Sequence, residues 1–294
     1  MLGQNRDVFA KDLSELGQSN RHPHIINTGN ANPIRQRPYR ASPRARAEIS
    51  RQVKEQLDND IIEPSTSEWS SPVVLVRKKN GDCRFAVDYR KLNSVTKPMN
   101  LPLPRMEDII DTLGESNAQI FSSLDMFSGY WQLNLDPRTK HKTAFVCHEG
   151  LYQYKRIPFG LQGSPSAFMS VMSDVLRDVN WKYSLVYMDD ILIFSKNFDE
   201  HLFHLEQVLQ KLREANLRLK PSKCNFAVKE VKYLGHVISK DGISVDMSKV
   251  EAVKSFPKPK NTTDIRAFLG LANYYRKFIH GFADIATPLN RLLV

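Results

Sequence analysis

Apolar residues recur along the chain with two different periods, and the alternation between the periods lays out the elements. From Arg44 to Ile62 the positions Ile49, Val53, Leu57 and Ile61 fall four apart, the spacing that places them on one face of a helix. Leu202, Leu205, Leu209 and Leu212 form a second such stripe and predict a helix from about Phe198 to Ala215. Short apolar-rich runs mark buried strands instead: Ile120 to Asp125, Ser184 to Tyr187, and Ile191 to Phe194. Pro72 to Val76 and Cys83 to Asp88 flank Lys79-Asn80-Gly81-Asp82, and an Asn-Gly pair between two β-rich runs predicts a hairpin. A helix is expected from near Arg105 to just before Gly114. Another is expected over 262–280, with Thr262 or Thr263 as N-cap and Gly281 as its stop. The stretch up to about Pro43 has several prolines and no sustained period, so it reads as an arm or linker.

Strands and helices are mixed without a regular βαβ alternation, which makes the class α+β or multidomain rather than doubly wound. The length of 294 residues suggests about two domains. Lys and Arg exceed Asp and Glu by 42 to 32, a net charge of +10, and a basic surface suits a polyanion such as nucleic acid. Arg35, Arg37, Arg40, Arg44 and Arg46 make a non-helical basic strip that either tracks phosphates or is a solvated arm. Arg77, Lys78, Lys79 and Arg84 make the hairpin basic as well, and basic edges also protect a sheet from aggregation. No apolar run approaches the roughly 18 to 20 residues that cross a bilayer, and Met1 to Leu13 carries no signal-peptide core, so no membrane partner is expected and the location is read as intracellular. The three cysteines, Cys83, Cys147 and Cys224, are far apart and odd in number, so they are expected to be reduced. Asn27-Thr28-Gly29 is not an aspartic protease site, because Asn lacks the ionisable carboxylate. His201 and His204 lie one helical turn apart without a third ligand and are read as ordinary helix histidines.

The chemistry lies in the acids. Met188-Asp189-Asp190 is all that separates two strongly apolar strands, and Asp125 ends a third. Packing requires none of these carboxylates. If the three strands are neighbours, their charges converge and call for cations to neutralise them. Magnesium takes oxygen ligands and works through one or two carboxylates plus substrate phosphates. Two such ions can activate an attacking hydroxyl and stabilise a leaving pyrophosphate, so the chemistry these acids suit is nucleotidyl transfer.

A lone Asp-Asp turn is weak evidence, since Asp is a common turn residue. The wider string is specific. Tyr187-Met188-Asp189-Asp190, Phe121 to Asp125 with Tyr130-Trp131, Pro158-Phe159-Gly160-Leu161, Ser71 to Val76, Val87 to Asn93, Tyr233-Leu234-Gly235-His236 and Phe268 to Ile279 together resemble the reverse transcriptases, most closely those of gypsy-type LTR retrotransposons. The resemblance runs from about residue 20 to the end.

That resemblance implies a right-hand polymerase fold of fingers, palm and thumb, with an antiparallel palm sheet backed by helices. The expected division is arm and first part of the fingers 1–97, palm 98–132, fingers 133–163, palm 164–241 and thumb 242–294. It implies that Asp125, Asp189 and Asp190 bind two magnesium ions, for which manganese may substitute, and that Lys78 and Arg84 hold the incoming dNTP. Tyr130 matches the steric gate against a ribose 2′-hydroxyl, and Phe159-Gly160 stand where sugar or base packs. Lys223 matches the lysine that protonates pyrophosphate, with Lys220 as a rival. Leu234-Gly235 match the primer grip, and Tyr187, Met188, Arg266, Tyr274, Arg276 and Lys277 match nucleic-acid contacts. Gln162-Gly163-Ser164-Pro165 departs from the Asn-Ala-Pro common in the gypsy type.

The implied activity is RNA- and DNA-directed DNA synthesis, with RNA or DNA template, DNA or RNA primer and dNTPs as partners, in the cytoplasm, a virus-like particle or the nucleus. Family polyproteins continue into connection and RNase H segments, so a polymerase-only piece is expected. The alternative is a catalytically inactive nucleic-acid-binding remnant of a retroelement. Primer extension separates the two.

Overall fold

The computed structural model describes residues 1–77, 81, 83–99 and 104–293. In chain order the elements are β1 (Ser19–His24), α1 (Pro43–Asp58), β2 (Ile62–Pro64), β3 (Ser71–Arg77), β4 (Cys83–Val87), α2 (Arg90–Val95), α3 (Met106–Glu115), β5 (Ile120–Asp125), β6 (Leu133–Leu135), β7 (Phe145–Cys147), β8 (Gly150–Tyr154), α4 (Ser164–Val175), β9 (Ser184–Tyr187), β10 (Asp190–Ser195), α5 (Phe198–Glu214), β11 (Asn225–Val228), β12 (Glu230–Tyr233), β13 (His236–Ser239), β14 (Gly242–Val245), α6 (Met247–Lys254), α7 (Thr262–Tyr274) and α8 (Phe282–Arg291).

The described strands sort into four sheets, the smallest being the parallel pair β1-β6. A five-stranded sheet in the order β2-β8-β7-β3-β4 takes the first third of the chain together with the β7–β8 hairpin. A four-stranded antiparallel sheet in the order β11-β5-β10-β9 forms the centre. Three short antiparallel strands, β12-β13-β14, lead to the C-terminal helices. The central strands form because their apolar residues fill both faces: Leu124, Leu185, Val186, Ile191, Leu192 and Ile193 are all buried. Helix α4 presents Phe168, Met169, Val171 and Met172 to this core, and α5 presents Leu205, Val208, Leu209 and Leu212. The expected antiparallel sheet backed by helices is therefore present.

Several details differ from the sequence reading. Helix α1 ends at Asp58, and Ile61, which continued the four-residue spacing, is wholly buried beyond the helix end. Helix α3 runs through Gly114 to Glu115. Helix α7 is capped by the Asn261 side chain, one residue before the expected threonines, and stops at Tyr274, with a 3₁₀ turn over Arg276–Phe278.

The larger correction concerns the N-terminal stretch. Val8 and Ala10 are fully buried, and the chain here acts as a strand-like strap on Leu219: the Leu219 N–H donates to the Val8 carbonyl and the Ala10 N–H to the Leu219 carbonyl. Asp7 is ion-paired with Arg213 at 2.7 Å, and Asn5 donates to Glu206, both on α5. Residues 1–10 thus belong to the central body. The basic strip is also partly anchored, through Arg35 Nε to the Glu68 carbonyl and Gln36 N–H to the Ser70 carbonyl.

Candidate active site

Register brings the acids together. In the β5–β10 ladder Asp190 lies directly opposite Asp125, and in the β9–β10 hairpin Asp190 lies opposite Tyr187, leaving Met188 and Asp189 as a two-residue tip. Met188 has φ of +52°, a left-handed conformation that a non-glycine residue adopts only when its surroundings enforce it. Its N–H donates to the Met169 Sδ of α4 at 2.9 Å, which helps fix the tip. The three carboxylates therefore sit at one end of three adjacent strands, as the apolar runs implied.

Their electrostatics are those of a charged site short of cations. Burial first, then the charges of Asp190 and Asp125, raises the Asp189 pKa; Lys223 opposes the rise. Asp190 is raised by the protein crowded around it and then by Asp125, although one side remains open to solvent. Lys223 lies 3.0 and 3.2 Å from the two Asp125 carboxylate oxygens, whereas the ammonium of its rival, Lys220, sits 5.5 Å over the Phe127 ring. Of the two ammonium groups, that of Lys223 is the one paired with an acid of the site. Cys224 adds a contact that the sequence reading missed, its Sγ accepting from the Asp125 N–H at 3.5 Å.

Among the described residues, no three His, Cys, Asp or Glu side chains close into a ready-made metal cage. The donor set nevertheless fits a hard divalent cation. Asp189 Oδ1 is buried with no hydrogen-bond partner, and such an acceptor next to two further carboxylates is what an oxygen-seeking ion satisfies.

An aromatic wall borders the acids. Tyr130 packs on Phe159 with ring centres 5.2 Å apart and on Phe168 at 5.8 Å, and Arg84 places its guanidinium 4.6 Å over the Phe159 ring. Burial first, with the Asp189 charge adding, pushes the Tyr130 hydroxyl up to about 12, so it remains protonated. Tyr130 can stand here because Gly129 has no side chain: a Cβ there would lie 2.8 Å from the Phe168 ring. Gly160, at φ of +94°, is held by Asn93, whose Nδ2 donates to the Gly160 carbonyl and whose Oδ1 accepts from the Gln162 N–H. Arg84, Tyr130, Phe159 and Gly160 are thus brought together. Lys78 lies outside the described residues.

The C-terminal expectations fare differently. Leu234 and Gly235 form the β12–β13 turn, and Tyr233 before them donates to the Asp190 carbonyl at 3.5 Å, so this turn abuts the acids. Arg266 is exposed on α7. Arg276 and Lys277 are exposed and meet opposite charges on α3, Glu107 at 2.7 Å and Asp111 at 3.6 Å. The Tyr274 hydroxyl is likewise taken, by the Leu234 carbonyl. Tyr187 is half-buried at the end of β9.

An antiparallel sheet that gathers three aspartates at one end, between a basic hairpin and a helical C-terminal lobe, defines the palm of a right-hand nucleic-acid polymerase. Comparison with known proteins narrows this class. Residues 76–238 match the family described as reverse transcriptase (RNA-dependent DNA polymerase). The retrovirus-related Pol polyprotein from transposon 297 of Drosophila melanogaster is 40% identical over the whole chain, which covers 28% of that relative. The corresponding polyprotein from transposon gypsy of the same organism is 39% identical over 91% of the chain and 26% of the relative. Among solved structures, a foamy viral protease-reverse transcriptase in complex with double-stranded DNA superposes with a TM-score of 0.88 at 25% identity, over 99% of this chain and 51% of that one. The foamy viral enzyme in complex with an RNA/DNA hybrid gives 0.82, covering 39% of that chain. The chain belongs to the reverse transcriptase family, in its LTR-retrotransposon branch, and spans little more than a quarter of the curated relatives it matches.

Proposed function

We propose that this chain is a template-directed DNA polymerase that extends a primer 3′-hydroxyl with dNTPs on RNA or DNA templates. The observation that carries the reading is the register of Asp190 against Asp125, with the buried, unpartnered Asp189 oxygen at the adjoining tip. Asp125, Asp189 and Asp190 would hold two magnesium ions, which manganese may replace; when bound, these supply the Lewis acidity that activates the 3′-hydroxyl and stabilises the departing pyrophosphate.

The chain's own groups do the rest. Arg84, its guanidinium over the Phe159 ring, would offer a planar array of donors to a triphosphate, and Lys78 would add a point charge. The Tyr130–Phe159 wall would close the pocket on the sugar side, where a 2′-hydroxyl would collide with the tyrosine ring. Lys223 Nζ, paired with Asp125, would hand a proton to pyrophosphate once an incoming charge loosens that ion pair. Leu234-Gly235 would carry the primer terminus beside Asp190. Positioning and fixed electrostatics would supply most of the rate.

The proposed partners are template, primer and dNTPs; the foamy viral complexes with duplex DNA and RNA/DNA hybrid support the nucleic-acid partners. The division into fingers 1–97 and 133–163, palm 98–132 and 164–241, and thumb 242–294 is proposed with one amendment, that residues 1–10 belong to the palm body. No described helix is long and apolar enough to cross a membrane; residence in the cytoplasm, a virus-like particle or the nucleus is part of the proposal. The test is dNTP incorporation on poly(A)/oligo(dT) with magnesium or manganese. Extension that is lost in Asp189→Asn supports the reading, and binding of primer-template without extension by the intact chain favours the inactive remnant.

A further inference from the structure

The turn that would carry the primer is built in an unfavourable backbone. Leu234 and Gly235 have φ of +49° and +77°, two successive residues in the left-handed region, and leucine pays for such a conformation where glycine does not. Something must hold it. Both carbonyls of the turn are taken from the end of α7. The Tyr274 hydroxyl donates to the Leu234 carbonyl at 2.6 Å, and the Tyr275 hydroxyl to the Gly235 carbonyl at 3.4 Å. His236 Nδ1 lies 3.1 Å from the same Leu234 oxygen, and its ring sits 5.5 to 5.7 Å from Tyr274, Tyr275 and Phe278. Glycine is required here twice over, for its φ and because a Cβ would lie 2.9 Å from the Tyr275 hydroxyl.

The same helix end is tied down elsewhere. Arg276 and Lys277 pair with Glu107 and Asp111 of α3, so the tyrosines reach the turn from a fixed base. On the other side of the turn, Tyr233 donates to the Asp190 carbonyl. Tyr274 is 45% exposed, yet its polar atom is committed to backbone rather than left free for a ligand.

We propose that Tyr274 is a positioning residue for primer extension, its hydroxyl fixing the Leu234 carbonyl so that the Leu234-Gly235 turn presents the primer 3′ end at the Asp190 side of the site. The inference rests on the polymerase reading. It differs from a contact between the Tyr274 ring and the duplex, because it requires the oxygen and not the ring.

Tyr274→Phe separates the two, since it removes one oxygen from a half-exposed side chain and leaves the ring. The single-turnover rate of incorporation is expected to fall roughly 10- to 100-fold, the penalty for a small misplacement of reacting groups. Affinities for primer-template and dNTP should stay within about twofold, because no contact to either is removed. Hydrogen exchange at the amides of 234–237 should quicken in the same variant without substrate. Tyr275→Phe, which loses the longer bond, should slow incorporation less. An unchanged rate in Tyr274→Phe, a loss confined to primer-template affinity, or equal loss in both variants overturns the proposal. If the wild-type chain extends no primer, the polymerase reading fails instead, while the exchange measurement still decides whether the hydroxyl holds the turn.

Discussion

Strands β5 and β10 carry a polar cluster at each end, and the two clusters obey opposite rules. At the Asp125–Asp190 end the acids repel one another, Asp189 has an orphaned oxygen and Met188 is held at positive φ. Three to five residues away, roughly 10 to 17 Å along the strands, Ser122 and Ser195 meet His201 and His204 of α5. There the polar atoms of the two serines are matched: His201 Nε2 lies 2.7 Å from Ser122 Oγ and its Nδ1 3.0 Å from Ser195 Oγ, which also meets His204 Nδ1 at 2.8 Å. Ser122 accepts in addition from the Ala227 N–H of β11, and Tyr183 stacks on His204 at 3.8 Å. One cluster is finished by the protein itself and ties α5 and β11 to the sheet. The other is left to be finished by something the protein binds. Buried polar groups that are fully partnered rigidify a fold, whereas partly partnered ones are retained against stability.

The largest effect should come from the unfinished end. Asp189→Asn or Asp125→Asn is expected to lower primer extension by roughly a thousandfold or more, with primer-template affinity almost unchanged. For Asp189→Asn the melting temperature should not fall, because the change removes repulsion at an oxygen without a partner, whereas Asp125→Asn also gives up the half-exposed Lys223 ion pair, worth about 1 kcal/mol at most. Single-turnover extension with a parallel thermal melt checks both halves. Near-normal extension by either variant would break the distinction between the two ends.

The finished end should answer to pH instead. Burial first, then the neighbouring His204, lowers the His201 pKa from its ordinary 6.5 to about 4. The unfolded chain therefore takes up a proton before the folded one does, and folding stability falls as pH drops from 6.5, levelling off below 4. The loss attached to His201 is about 3 kcal/mol, and His204, also lowered by burial, adds to it in the same direction. Denaturant unfolding at stepped pH measures this, and His201→Asn should flatten the slope in that window while lowering stability at neutral pH. A slope that is unchanged in His201→Asn would show that the cluster is not the acid-sensitive joint.

The sequence exposed one end far better than the other, for a physical reason. Adjacent acids between apolar strands stand out because packing never asks for them, so Asp125, Asp189 and Asp190 were legible, as was the hairpin that brings them together. The serines and histidines of the other end look ordinary, since a hydroxyl in a strand and a histidine on a helix become a network only when register and burial join them. The same limit applies elsewhere. The strap at Val8 to Ala10 is too short to leave a period to read, and its long-range backbone bonds go to the single residue Leu219 among the described residues. The partner of Tyr274 is a backbone carbonyl forty residues away, which has no signature in side-chain identity. Arg276 and Lys277 read in the sequence as basic residues expected to meet phosphates, and only the fold shows Glu107 and Asp111 opposite them.

Tyr130 sharpens the comparison, because it lies at the unfinished end yet is itself well packed. If its ring excludes a 2′-hydroxyl, Tyr130→Ala should cut discrimination against rNTPs about a hundredfold, or about 2.7 kcal/mol. Competition between dTTP and UTP on the same primer reads it directly. Unchanged discrimination would return Tyr130 to a purely packing role beside Phe159 and Phe168.

The smallest effect tests whether the strain at the tip belongs to function. A left-handed φ disfavours a residue with a Cβ by about 1 kcal/mol, and glycine removes that penalty while giving back about half of it in unfolded-chain entropy. Met188→Gly should therefore stabilise the fold by about 0.5 kcal/mol, a shift of a degree or two in the melting temperature. Activity should move the other way by a few fold, because a glycine tip between Tyr187 and Asp189 no longer dictates where the Asp189 carboxylate points, even with the Met169 contact to the backbone N–H intact. A gain in stability without any loss of rate would mean that the strain is incidental. A fall in both would mean that the Met188 side chain, rather than its backbone, is what the site requires.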